Sequence, residues 1–96
     1  MTSSGPSEKA QELALDALGW LAASEDLMPV FMNSTGASLD DIRTQAGDPA
    51  FLGSVLDFLM MDDNWVIAFC DSRGIAYTRP MEARQALPGG DLPNWT

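Results

Sequence analysis

The 96-residue chain contains no histidine, a single cysteine and only five basic residues, against fourteen acidic ones. Without histidine it cannot form a Cys/His zinc site, a Ser–His–Asp or Cys–His nucleophile, or an imidazole-based pH switch. One cysteine also excludes an intramolecular disulfide framework. We therefore expect no catalytic residues, no metal site and no bound cofactor, which means that we expect the protein not to be an enzyme.

Positive charge and long apolar runs are equally scarce. A net charge of −9 argues against binding to the phosphate backbone of nucleic acids, which needs clustered lysine and arginine. The longest uninterrupted apolar run covers residues 65–70, whereas a transmembrane helix needs about twenty such residues. Residues 1–6 carry neither the basic nor the apolar stretch of a signal peptide. We expect a cytoplasmic protein that binds neither nucleic acid nor membranes.

What the chain does contain is helical periodicity. Apolar residues make up 46% of the sequence, which is ordinary for a globular protein, and the length allows one domain. From Ser7 to about Ala23 the apolar residues recur at i, i+3, i+4 and i+7, and shorter stretches with the same spacing follow. The pattern predicts an all-α fold, a compact bundle of five to six short helices in a single domain over residues 8–87. Residues 1–7 and 88–96 are predicted to be a disordered and a flexible tail.

Capping residues set the expected helix boundaries. Ser, Thr and Asp accept hydrogen bonds from the free N–H groups at a helix start, and Gly commonly ends a helix. Seven of the fourteen acidic residues lie at the predicted starts, which gives half of the acidity a structural explanation. The predicted starts are Ser7, Asp26, Ser38 (with Asp41 in a capping box), Asp48 (before Pro49), Asp62 and Thr78, and the predicted ends include Gly36, Gly47 and Gly74.

The fourth predicted helix has the densest apolar pattern of the chain. Only Gly53, Ser54 and Asp57 form a polar strip along it. We therefore predict that this helix is central and the most buried. Its apolar residues are Phe51, Leu52, Val55, Leu56, Phe58, Leu59 and Met60.

Four large side chains are candidates for contact with a partner, because Trp and Met are enriched at protein interfaces. Trp20 lies at a margin of the first apolar face, Met61 on the polar side of the fourth helix, Trp65 on the fifth helix and Trp95 in the C-terminal tail. We expect these residues to bind a protein partner whose identity the sequence does not give. By itself, the protein is expected to be a monomer.

One short segment offers an alternative function. Residues 35–40, TGASLD, resemble the prosthetic-group site of acyl carrier proteins, which are also small, acidic and helical. The resemblance implies an acyl-carrier-like or small-ligand-binding domain with Ser38 as the attachment site. Ala37 stands where the carriers have Asp before the modified Ser, and an ordinary helix cap explains Ser38 equally.

Four longer segments together resemble one known family. They are residues 15–22 (LDALGWLA), 46–52 (AGDPAFL), 55–63 (VLDFLMMDD) and 68–70 (AFC), of which VLDFL is the most specific. They are similar to a group of short bacterial proteins catalogued as domain of unknown function 3572. The resemblance implies a compact helical domain standing alone in its chain, with no assigned activity and no catalytic residue. We therefore expect a small acidic protein–protein interaction or adaptor module.

Overall fold

The computed structural model describes residues 6–87, and the side chains of residues 8–87, as six α-helices. The helices are α1 (Pro6–Ala22), α2 (Leu27–Thr35), α3 (Leu39–Gln45), α4 (Pro49–Leu59), α5 (Asp63–Arg73) and α6 (Arg79–Gln85). This architecture confirms the predicted all-α class, the single domain and the number of helices. The predictions for residues 1–5 and for the tail over 88–96, Trp95 included, lie outside the described residues.

Helix α4 forms the centre of the core, as its apolar pattern predicts. Seven of its eleven residues are buried, and α4 packs against α1, α2 and α6. Helix α1 meets α4 and α6 with a face whose small side chains allow close approach of the helices. The buried residues of α1 are Ala10, Ala14, Ala17, Leu18 and Leu21.

Most predicted helix caps are present as hydrogen bonds. The Ser38 hydroxyl accepts from the Asp41 N–H at 3.1 Å, and the Asp41 carboxylate accepts from the Ser38 N–H at 3.1 Å, which completes the capping box. The carboxylates of Asp48 and Asp62 accept from the N–H groups two residues later, at 3.2 and 2.8 Å. Each of these bonds satisfies a backbone donor that the helix itself leaves free.

Two predicted starts, Asp26 and Thr78, hold the N-cap position without a side-chain cap, and a third, Ser7, lies within its helix. Asp26 precedes α2 but makes no side-chain cap, because its backbone is already helical. The turn begins at Ser24, whose carbonyl accepts from the Met28 N–H and whose hydroxyl caps the Leu27 N–H at 3.2 Å. Ser7 lies inside α1, because the helix begins at Pro6, whose fixed φ and missing N–H suit a first position. Thr78 precedes α6 in a helical conformation and likewise makes no side-chain cap.

Two of the three predicted terminal glycines adopt the left-handed conformation. Gly36 has φ 75° after α2, and Gly74 has φ 68° after α5. A side chain is strained in this region, so both positions favour glycine. Gly47 follows α3 without a positive φ, because α3 ends at Gln45 and Ala46 continues in a helical conformation. Within residues 6–87, no helix is long and apolar enough to cross a membrane.

Candidate interaction surface

The turn between α4 and α5 holds Met61 at an outer corner of the molecule. The N–H of Met60 donates to the Leu56 carbonyl and that of Met61 to the Phe58 carbonyl, so the chain leaves α4 in a tight turn. Asp62 then caps α5 at once. Met61 is 71% exposed, more than any other large hydrophobic residue that the structure describes. It lies two residues after the end of α4, not on the polar side of that helix as predicted.

Trp65 stands in the first turn of α5, four residues after Met61. It is half-buried, and its ring stacks on Phe58 with centroids 4.9 Å apart. Phe58 in turn meets Phe31 edge-to-face, and Phe31 meets Phe51 in the same way, with centroids 5.3 and 6.1 Å apart. Offset and edge-to-face contacts are the favourable arrangements of aromatic rings. The core therefore holds one face of Trp65 in place.

We use the name "corner surface" for Met61, Asp62, Asp63 and Trp65. These four residues combine an exposed thioether, a fixed indole and two carboxylates within five consecutive positions. Asp62 uses one carboxylate oxygen for its cap on Asn64, and Asp63 is exposed. Two of the four predicted partner-binding residues, Met61 and Trp65, thus lie four positions apart, in the turn before α5 and in its first turn.

Trp20 lies in a different contact, between α1 and α5. It is half-buried and meets Phe69 edge-to-face with centroids 5.8 Å apart. Beside it the Arg73 Nε donates to both carboxylate oxygens of Asp16 at 2.8 Å, and the guanidinium lies 5.5 Å from the Phe69 ring centroid. These contacts hold α5 against α1. The exposed part of Trp20 therefore lies at the edge of the contact between these two helices.

Ser38 is exposed at the start of α3. Next to it is a cleft of about 390 Å³ between the end of α2, α3 and the start of α4. Ser38 does not line this cleft, and its hydroxyl accepts the Asp41 N–H. The cleft is lined by Thr35, Gly36, Ala37, Asp41, Gln45, Asp48, Ala50, Phe51 and Ser54.

We expect Ser38 to remain unmodified by a prosthetic group, because a helix cap accounts for this hydroxyl. The protein is incubated with coenzyme A and a broad-specificity phosphopantetheinyl transferase, and its intact mass is measured. An acyl carrier protein in the same reaction is the positive control. A mass increase that Ser38→Ala abolishes would contradict this expectation and favour the carrier function.

Arg84 on α6 makes a contact that sequence reasoning missed. Its Nε and Nη2 donate to the two carboxylate oxygens of Asp57 at 2.7 and 3.1 Å. The Arg84 side chain is only 17% exposed and covers Gly53, where an added Cβ would stand 2.8 Å from Nη1. The strip predicted to be polar is therefore where α6 docks on α4, and Gly53 is buried. A glycine at helical spacing from an aspartate is the only sequence signal for this contact.

We expect the effect of Gly53→Ala on stability to depend on Arg84. In an Arg84→Ala background the change should stabilise the protein by about 1 kcal/mol, because Ala favours a helix over Gly. With Arg84 present, the new methyl group displaces the guanidinium from Asp57, so the gain should be lost or reversed, a coupling of about 1 kcal/mol or more. A double-mutant cycle by urea unfolding measures this coupling. Equal gains in both backgrounds would show that Arg84 does not need the glycine.

A third cluster surrounds the turn between α5 and α6. The Tyr77 hydroxyl donates to the Asp71 carboxylate at 2.8 Å, and this hydrogen bond to Asp71 raises the pKa of Tyr77 above its ordinary value. Burial, and then the charge of Asp71, raises the pKa of the Cys70 thiol. A raised pKa disfavours the thiolate, which is the nucleophilic form of cysteine. Among the side chains described, no group of three could hold a metal ion.

Comparison with known protein families gives a match over most of the chain. A family model described as "Protein of unknown function (DUF3572)" matches residues 7–90. The match covers all four sequence segments that carry the resemblance noted above. No curated protein and no solved structure matches the chain.

Proposed function

This chain belongs to the DUF3572 family, whose description assigns no activity, and we propose that it acts as a protein–protein interaction module through its corner surface. The observation that carries the proposal is the exposure of Met61, 71%, beside an indole that is fixed on Phe58. Covering a methionine side chain removes apolar surface from water and contributes about 1.5–3 kcal/mol at full burial.

The two apolar side chains of the corner surface have complementary properties. Met is unbranched and polarisable, and so adapts to the shape of a partner. Trp65 offers a large contact area. Because its ring is already ordered by stacking on the core, binding loses little further side-chain entropy. A flexible side chain beside a fixed aromatic anchor suits an interface centre.

The proposal includes three further properties of the module. We propose that it has no catalytic activity, that it is monomeric in the absence of its partner and that it resides in the cytoplasm. The lack of histidine and the burial of Cys70 support the first property, since the chain has no imidazole to activate a nucleophile and its single thiol is shielded from substrates. The excess of acidic residues supports a protein rather than a nucleic acid as the partner.

Affinity purification from the native host, followed by mass spectrometry, tests the proposal. The natural chain and two variants serve as baits: Met61→Ser, and Met81→Ser as a matched control, since Met81 is 49% exposed on α6. We expect a protein that the natural chain and Met81→Ser both recover and that Met61→Ser loses, and that binds again when both proteins are pure. A partner that Met61→Ser retains as strongly would contradict the corner surface as the binding site.

A further inference from the structure

The charge around the corner surface is of one sign. Between Arg43 and Arg73 the chain has no lysine or arginine and five aspartates. One of the five, Asp57, is paired with Arg84. Within residues 8–87 neither Asp62 nor Asp63 forms an ion pair, and in the chain these two residues lie between Met61 and Trp65. The corner surface is therefore an apolar centre with an unpaired acidic margin.

We propose that the segment that binds here is a short cationic amphipathic helix of the partner protein. This inference rests on the proposed function and specifies the chemistry of the partner. An apolar side chain of the helix covers Met61 and the exposed edge of Trp65, while a lysine or arginine on the same face reaches Asp63 and the second oxygen of Asp62. Opposite charges at the margin of an interface favour the correct partner and speed its association.

The backbone of the corner favours a helix as the bound form. The N–H groups of Met60 and Met61 already donate to carbonyls of α4, and the N–H of Asn64 donates to Asp62. Residues 6–87 also contain no β-strand, so an extended segment finds no sheet edge to pair with. A helix satisfies its own backbone groups and presents side chains alone, as in other helix-recognition surfaces.

Two synthetic peptides of equal length test the charge requirement against the full chain. One is an amphipathic helix of Leu and Lys, the other the same pattern with Glu in place of Lys, and binding is measured by isothermal titration calorimetry. We expect the Leu/Lys peptide to bind with an affinity that falls as salt is added, and the Leu/Glu peptide not to bind. Binding of both peptides with similar affinity would overturn the charge requirement.

Matched variants separate the corner surface from the overall charge of the chain. Met61→Ser should weaken binding of the Leu/Lys peptide about tenfold and Met81→Ser should not. Asp63→Asn should weaken it about threefold at low salt, as expected for an exposed ion pair. Asp40→Asn on α3 removes the same charge from an exposed position elsewhere and should leave the affinity unchanged. Thermal melts of all four variants establish that they are folded.

Each outcome bears on one claim. Equal weakening by Asp40→Asn and Asp63→Asn would mean that the attraction belongs to the whole chain, and would overturn the inference. If Met61→Ser loses the partner from the host while the Leu/Lys peptide fails to bind the natural chain, the interaction module stands and its cationic partner does not. If Met61→Ser retains the host partner, the proposed function itself fails, whatever the peptides do.

Discussion

Replacing Leu56 or Leu59 by Ala should lower the free energy of unfolding by about 2–5 kcal/mol. Both side chains lie on the central helix α4 and are 0% exposed. Truncation removes buried methyl groups and leaves a cavity that the neighbouring helices fill only in part. A domain of this size has a total stability of about 5–10 kcal/mol, so either change should remove a large share of it.

Urea unfolding followed by circular dichroism measures both losses. Ser54→Ala on the same helix is the control, since Ser54 is exposed and its change should stay within about 0.5 kcal/mol. Losses below about 1 kcal/mol for both leucines would mean that α4 is not the centre of the core.

Replacing Phe31 by Ala should cost about 3–5 kcal/mol and should loosen α2 from the bundle. Phe31 is the one buried residue of α2, and its ring meets both Phe51 and Phe58 on α4. A helix of nine residues is not stable alone, so α2 depends on this packing. Amide hydrogen exchange in α2 should therefore speed up more than the loss of global stability explains.

The control for Phe31 lies on the same helix. Val30 is 42% exposed, and Val30→Ala should change stability by about 0.5 kcal/mol or less. If the two variants melt at the same temperature, Phe31 does not anchor α2. If Phe31→Ala is destabilised while exchange in α2 follows global unfolding, the helix is held by contacts beyond this ring.

The parts of the fold that depend on local chemistry were predictable from the sequence. Asp48, Asp62 and Ser38 make their caps with backbone groups two or three residues away, so the sequence contains both partners. Asp26 shows the limit even there. Ser24 lies three residues before Leu27 and its hydroxyl caps the Leu27 N–H. Asp26 makes no side-chain cap, because its own backbone is already helical.

Contacts between distant residues were not predictable in this way. Arg84 pairs with Asp57 across 27 positions, and Arg73 with Asp16 across 57. Periodicity indicates which face of a helix is apolar, but not which neighbouring helix an arginine will reach. For this reason the polar strip predicted along α4 includes Gly53, although Arg84 of α6 covers this residue.

The candidate site shows the same division. The sequence identified Met61 as a side chain outside the core, and its exposure supports that identification. It did not indicate that Trp65 would be fixed on Phe58 beside it while Trp20 joined α1 to α5. Those placements depend on how α5 packs against the other helices. The positions of the three tryptophans in the sequence do not indicate this packing.

The thiol of Cys70 is the only one in the chain, and its reaction rate reports on local opening around helix α5. Its side chain is fully buried, so a thiol reagent reaches the sulfur only in molecules in which α5, or a segment packed on it, has moved. When α5 recloses faster than the reagent reacts, the labelling rate is the intrinsic rate multiplied by the open fraction. Labelling the natural chain therefore measures the opening equilibrium around Cys70 without an engineered probe.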